Sequence, residues 1–193
     1  MRGTDLEWTL LVLSPVMAVV AIAVVLGILR SSQKKAQSVV KDKRFTRAYY
    51  AWRDRILRTG LQPVACPMPL TAGERCFSFS SSIELYEPTE PHAHCSSEAL
   101  FDMEIGAGVG SDWSILDCFD NVRFCGKGDL CISDRCLYFT GSRKLNIPFP
   151  SMHTVAASCS GLMIGARGMD RPLLFMDVNG QVLRDMIHML MEA

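Results

Sequence analysis

The stretch from Gly128 to Val155, GDLCISDRCLYFTGSRKLNIPFPSMHTV, limits the possible folds more than any other part of the chain. Apolar residues fall at every second position in three successive runs: Leu130 and Ile132, Leu137 and Phe139, then Leu145, Ile147 and Phe149. That period belongs to strands with one buried and one exposed face. Ser133-Asp134-Arg135 is too short a connection for anything but a tight turn, and Gly141-Ser142-Arg143-Lys144 contains the glycine that a second turn needs. The stretch therefore predicts an antiparallel meander of three strands.

The remaining chain divides by composition. Trp8 to Leu29 is 22 residues without a charge, about 33 Å as a helix, which matches a bilayer hydrocarbon core of about 30 Å. A cleavable signal is the competing reading. The run is too long for one, continues past the small residues Ala21-Ile22-Ala23, and is preceded by Arg2 against Asp5 and Glu7 rather than by clear positive charge. One membrane span over 8–29 is expected, with 1–7 outside. Pro15 is tolerated in such a span. The pairs Ser14/Ala18 and Ala23/Gly27 permit close helix approach, so a homodimer is allowed but not required.

Zero net charge conceals an asymmetry. From Arg30 to Arg58 there are ten Lys or Arg against two Asp, whereas from Thr59 to Ala193 there are nine against sixteen Asp or Glu. Positive charge behind the span orients it with everything after Arg30 in the cytoplasm. All eight cysteines follow the span, so in that orientation they stay reduced, and a disulfide reading depends on the opposite topology.

Residues 30–60 read as a basic helix, free of Pro and Gly until Gly60. Phe45, Tyr49, Trp52 and Ile56 form one stripe along it. On one reading the helix lies on the membrane surface, with this stripe in the headgroups and Lys34, Lys35, Lys41, Lys43, Arg44 and Arg47 on anionic lipid. On the other, the stripe packs on the globular domain and the charges are a solvated face. The prolines of 61–71 exclude regular structure there and mark a linker, leaving 72–193 as the globular domain.

Within it, Arg75 to Ile83 begins the sheet, and Glu87 to Cys95 is a polar loop. Ala99 to Val109 is a further strand, and Trp113 to Phe124 is a strand with a connection or a short helical turn. Leu162–Arg167 and Arg171–Val178 pair around Gly168-Met169-Asp170. Val182, Leu183, Met186, Ile187 and Leu190 form the apolar stripe of a closing helix from Gln181 to Met191.

The meander, together with Gly73-Glu74-Arg75, Leu85-Tyr86-Glu87-Pro88 and the final hairpin and helix, resembles the pleckstrin-homology-like and GRAM-like domains of bacterial proteins over roughly Leu70 to Glu192. The resemblance implies a mainly β fold: a bent sandwich of about seven antiparallel strands closed by a C-terminal helix. It implies binding rather than catalysis, and because its motifs are strand and turn patterns, it speaks to fold more than to function.

Chemical signatures are sparse. His92, His94 and Cys95 are adjacent in a loop but lack a recognisable fourth ligand, Cys131 and Cys136 belong to two strands of one hairpin, and no Cys-x2-Cys occurs. No metal and no cofactor is expected. No nucleophile motif accompanies the four histidines, and Gly126-Lys127-Gly128 leads into a strand rather than forming a phosphate loop. No enzyme is expected. Arg143 and Lys144 are the one adjacent basic pair in the globular part; they are a candidate headgroup contact, set against the acidic balance of that part, which an anionic bilayer repels. Nucleic acid is not an expected ligand. The chain thus reads as a single-pass protein of the cell membrane, displaying a cytoplasmic binding or adaptor module for a protein or peptide. A lipid-sensing module, acting through the basic helix and the Arg143/Lys144 turn, is the alternative.

Overall fold

The computed structural model describes residues 43–90 and 115–193, and side chains throughout these except those of Asp117 and Cys118. The span over 8–29, the strand expected over Ala99 to Val109, and Lys34, Lys35, Lys41, His92, His94 and Cys95 lie outside them. Among the described residues no helix is long and apolar enough to cross a membrane.

Seven strands form one antiparallel sheet: β1 (Cys76–Pro88), β2 (Val122–Ser133), β3 (Cys136–Gly141), β4 (Lys144–Pro148), β5 (Met152–Ser158), β6 (Gly161–Ala166) and β7 (Leu173–Met176). Their order is β4-β3-β2-β1-β7-β6-β5. Helix α1 covers 43–59, and α2 (Gly180–Glu192) closes the chain. The expected mainly β domain with seven strands and a C-terminal helix is present.

The meander forms at the anticipated register. Leu137 pairs with Ile132 and Ile147, and Phe139 with Leu130 and Leu145. Leu130, Ile132, Leu137, Phe139 and Ile147 are all essentially buried, as one inward parity demands. Phe139 and Phe175 meet with ring centroids 5.7 Å apart, although β2 and β1 lie between their strands in the sheet. Three strand spacings in a flat sheet would separate them by about 14 Å. The sheet must therefore curl over, and these rings lie inside the curl.

Strand β1 carries much of the bend. Its 13 residues pair with β2 along their whole length but with β7 only at Glu84–Tyr86. Between Ser80 and Ile83 the register slips, and Ser82 has φ 61°, a bulge of the kind that turns a strand. The strand also runs further than Ile83. Glu87 and Pro88, expected in a loop, pair with Arg123 and Val122. Proline is acceptable there because it occupies the last position of the strand.

Strands β6 and β7 are buried on both faces. One face meets the main core, to which α2 contributes Leu183, Met186 and Ile187. The other meets Ile115 and Phe119, which pack with Ala156, Met163, Leu174 and Met176. The undecided stretch before β2 resolves as a 3-10 turn over Ile115–Cys118 followed by the strand from Val122. Asn179 caps α2, its side-chain oxygen accepting from the Val182 N–H at 3.2 Å.

Candidate functional site

Two layers of the domain hold chemistry that the strand periodicity does not announce, and both depend on the segment between α1 and β1. Helix α1 ends at Gly60, whose φ of 68° and N–H to the Ile56 carbonyl (2.9 Å) form a left-handed cap. The chain over 61–75 then crosses the outer side of the sheet without forming a helix or strand. The Val64 N–H donates to the Cys76 carbonyl at 2.8 Å. This cover changes the environment of β2. The meander was expected to have one exposed face, yet Leu130, Cys131, Ile132 and Ser133 are all buried.

Under the cover, three thiols meet. Cys66 comes from the crossing segment, Cys76 opens β1, and Cys131 lies on β2. The Cys131 Sγ is 3.3 Å from that of Cys76 and 3.5 Å from that of Cys66. All three sulfurs lie within 4.8 Å of one another. The six cysteines with described side chains are free thiols. Burial pushes the Cys76 and Cys131 thiols up, so both are neutral near pH 7. Glycine and proline punctuation, rather than any ligand spacing, surrounds Cys66 in the sequence. That is why no Cys-x2-Cys pattern signals the group: its members come from three separate segments.

Beside the thiols is a second cluster around Glu74. Its carboxylate accepts from the Ser133 hydroxyl, from the Tyr138 hydroxyl at 2.8 Å and from the Thr71 N–H at 3.1 Å. Burial opposes ionisation of Glu74, but these donors outweigh it and hold the carboxyl below its ordinary value. Tyr138 is pushed up to about 12, by burial and then by its bond to Glu74. Ser133 also accepts from the Arg135 and Cys136 N–H groups, at 3.1 and 2.9 Å, which shapes the β2–β3 turn. Arg75 and Asp134 add an ion pair at 3.2 Å. Together these contacts fasten the crossing segment to the sheet.

A pH dependence follows. The Glu74 contribution is complete above its unfolded value of about 4.3 and is lost as pH falls through its lower folded value; that of Tyr138 is complete below about 10 and is lost as pH rises toward its folded value. Melting temperatures of the full chain should therefore decline on both sides. Glu74→Gln should be less stable at pH 7 and show a shallower acid limb. An acid limb as steep as that of the wild type would show that Glu74 is not a source of it.

The residues singled out by sequence fall into three groups. On α1, Tyr49 is buried and donates to Asp185 of α2 at 2.8 Å. Phe45, Trp52 and Ile56 are half-buried on the same side, while Lys43, Arg44 and Arg47 are exposed. The Asn179 side chain donates to the Phe45 carbonyl at 2.8 Å. Of the two readings of this stripe, packing against the domain is the geometry observed, and Tyr49 is thereby withdrawn from solvent and from any surface the helix could lie on. At the β3–β4 turn, Arg143 pairs with Glu87, which also holds Arg123 at 2.6 Å. Lys127 pairs with Glu84 at 2.8 Å. Burial would raise the Glu87 carboxyl, and the two guanidinium hydrogen bonds more than offset this, holding it low. Arg143 is thus already partnered by protein, while Lys144 is exposed.

The strand edges complete the set. Among the described residues nothing pairs with the outer sides of β4 and β5. Edge β4, KLNIP, carries Lys144 and Pro148, residues that discourage further pairing. Edge β5, MHTVAAS, has neither a charge nor a proline. No protein-family model matches the chain, and no curated protein matches it.

Proposed function

We propose that the chain is a binding module of the PH/GRAM-like kind, tethered by the apolar run over 8–29 and recruiting a protein or peptide to the cytoplasmic face of the membrane. The observation that carries this reading is the edge of β5, which pairs with no further strand among the described residues. An uncharged, proline-free edge of seven residues beside a packed helix offers main-chain donors and acceptors to an extended peptide, which would join the sheet as a further strand. The strand order, with β1 shared between β2 and β7, supports the bent sandwich that the resemblance implies. The uncharged run before Arg30 and the ten basic residues that follow support the tether and its orientation.

The headgroup reading receives less support. Arg143 is occupied by Glu87, and the aromatic stripe of α1 is turned onto the domain.

His153→Lys with Thr154→Lys places charge on the β5 edge without touching the buried Val155 and Ala156 or Ala157, which packs on the main core. Co-purification from membranes should yield proteins with the wild-type chain that are absent with the double variant, while the melting temperatures of the two stay close. Identical sets from both would overturn recruitment through β5. Binding to anionic vesicles that disappears when Arg143 and Lys144 are replaced would favour the headgroup reading instead.

A further inference from the structure

We infer that Cys66, Cys76 and Cys131 form a binding site for one soft monovalent cation, copper(I), held by three sulfurs. Metal–thiolate bonds of about 2.3 Å in a trigonal arrangement put neighbouring sulfurs about 4.0 Å apart. The observed separations of 3.3 and 3.5 Å, with all three sulfurs within 4.8 Å of one another, are close to that value. Small rotations of the three side chains suffice to close the triangle. Cys131 is fully buried and Cys76 nearly so, whereas Cys66 is half-exposed on the crossing segment. The site therefore has a fixed floor and one accessible ligand through which an ion can enter.

The choice of ion follows from ligand type and number. Among the described residues no histidine, carboxylate or fourth cysteine joins the three sulfurs. Zinc in a structural site takes four ligands. An all-thiolate set of three suits a soft cation and disfavours magnesium, calcium and manganese, which prefer oxygen. A disulfide would use two of the sulfurs and leave the third idle, whereas one ion engages all three. Binding exchanges thiol protons for the metal and releases them to solvent, so affinity rises with pH. The ion's own charge offsets part of the burial that otherwise keeps Cys76 and Cys131 protonated.

Such an ion would join the crossing segment to β1 and β2 next to the Glu74 cluster. It would thereby stiffen the connection between α1 and the sheet.

The test uses the full chain in detergent, without oxygen and with the thiols reduced. Copper(I) is supplied as its coloured bicinchoninate complex, and loss of colour reports transfer to protein. One equivalent should be withdrawn by the wild type. Cys66→Ser should weaken that transfer at least tenfold, while Cys125→Ser and Cys159→Ser leave it unchanged. Cys66 is half-exposed, so its variant should keep the fold, which circular dichroism checks. As a second readout, bound copper should protect Cys66 from alkylation in the wild type. The assignment is overturned if the wild type withdraws no copper, if Cys66→Ser withdraws it as well as the wild type, or if zinc(II) is held through Cys66 and copper(I) is not.

Discussion

Phe139→Ala should destabilise the domain by about 3 to 5 kcal/mol, through lost burial together with the cavity left behind. The side chain is fully buried, packs on Phe175 and sits where the curled sheet closes on itself. Its loss removes a contact between two strands that are not neighbours in the sheet, so little nearby can move in to fill the space. That effect is a large share of the roughly 5 to 15 kcal/mol by which a domain is ordinarily stable. Urea denaturation of the full chain in detergent, followed by tryptophan fluorescence, measures it. Tyr138, the next residue, faces the other side of β3. From strand parity alone its replacement should cost much less, but its hydroxyl holds Glu74 at 2.8 Å. Tyr138→Ser should therefore cost an intermediate amount, because it leaves a half-buried carboxylate short of a donor as well as removing the ring. A larger loss for Tyr138→Ser than for Phe139→Ala would show that the outer cover, rather than the inner core, dominates stability.

Gly180→Ala should be comparably damaging for a different reason. A Cβ at this position would lie 1.8 Å from the Gly161 carbonyl oxygen and 2.6 Å from that of Ser158. Both obstacles are backbone, at the turn joining β5 and β6, and neither can swing aside as a side chain would. The first turn of α2 has to move off the sheet, displacing Leu183 and loosening the cap made by Asn179. Overpacking typically costs about 1 to 3 kcal/mol and more where backbone must shift, so a loss of at least about 3 kcal/mol is expected. Gly60→Ala is the informative contrast. No atom lies within 4 Å of its added Cβ, and only its φ of 68° opposes the change, a penalty of about 1 to 2 kcal/mol. Thermal melting of both variants gives the comparison. A Gly180→Ala protein as stable as Gly60→Ala would show that α2 is not seated on the β5–β6 turn.

The meander and the closing helix are legible in the sequence because each carries its own period. Leu130, Ile132, Leu137, Phe139 and Ile147 alternate, and Leu183, Met186 and Ile187 recur at helical spacing, so burial on one side is written into local order. Strand β5 is harder to see. In MHTVAAS the alternation is interrupted, since Val155 and Ala156 are both buried by different clusters. The extension of β1 through Glu87 and Pro88 is likewise hidden, because a proline at a strand's last position looks the same as one in a loop.

What the sequence alone determines is the class of fold: alternation, turn residues and one amphipathic stripe suffice for an antiparallel β domain with a final helix. The strand order is tertiary. So is the curl that brings Phe139 to Phe175, since a bulge at Ser80 to Ile83 shows no periodic signal. The stripe of Phe45, Tyr49, Trp52 and Ile56 illustrates the same limit. Its spacing establishes an apolar side, but an apolar side fits a membrane surface and a protein surface equally well, and only the folded chain shows Tyr49 bonded to Asp185, 136 residues away. The thiol group is the extreme case. Cys66 and Cys131 are separated by 65 residues, and no local rule relates them. They meet because a segment without regular structure crosses the sheet, held there by Val64 and Glu74, and long-range contacts of that kind exist only once the chain has folded.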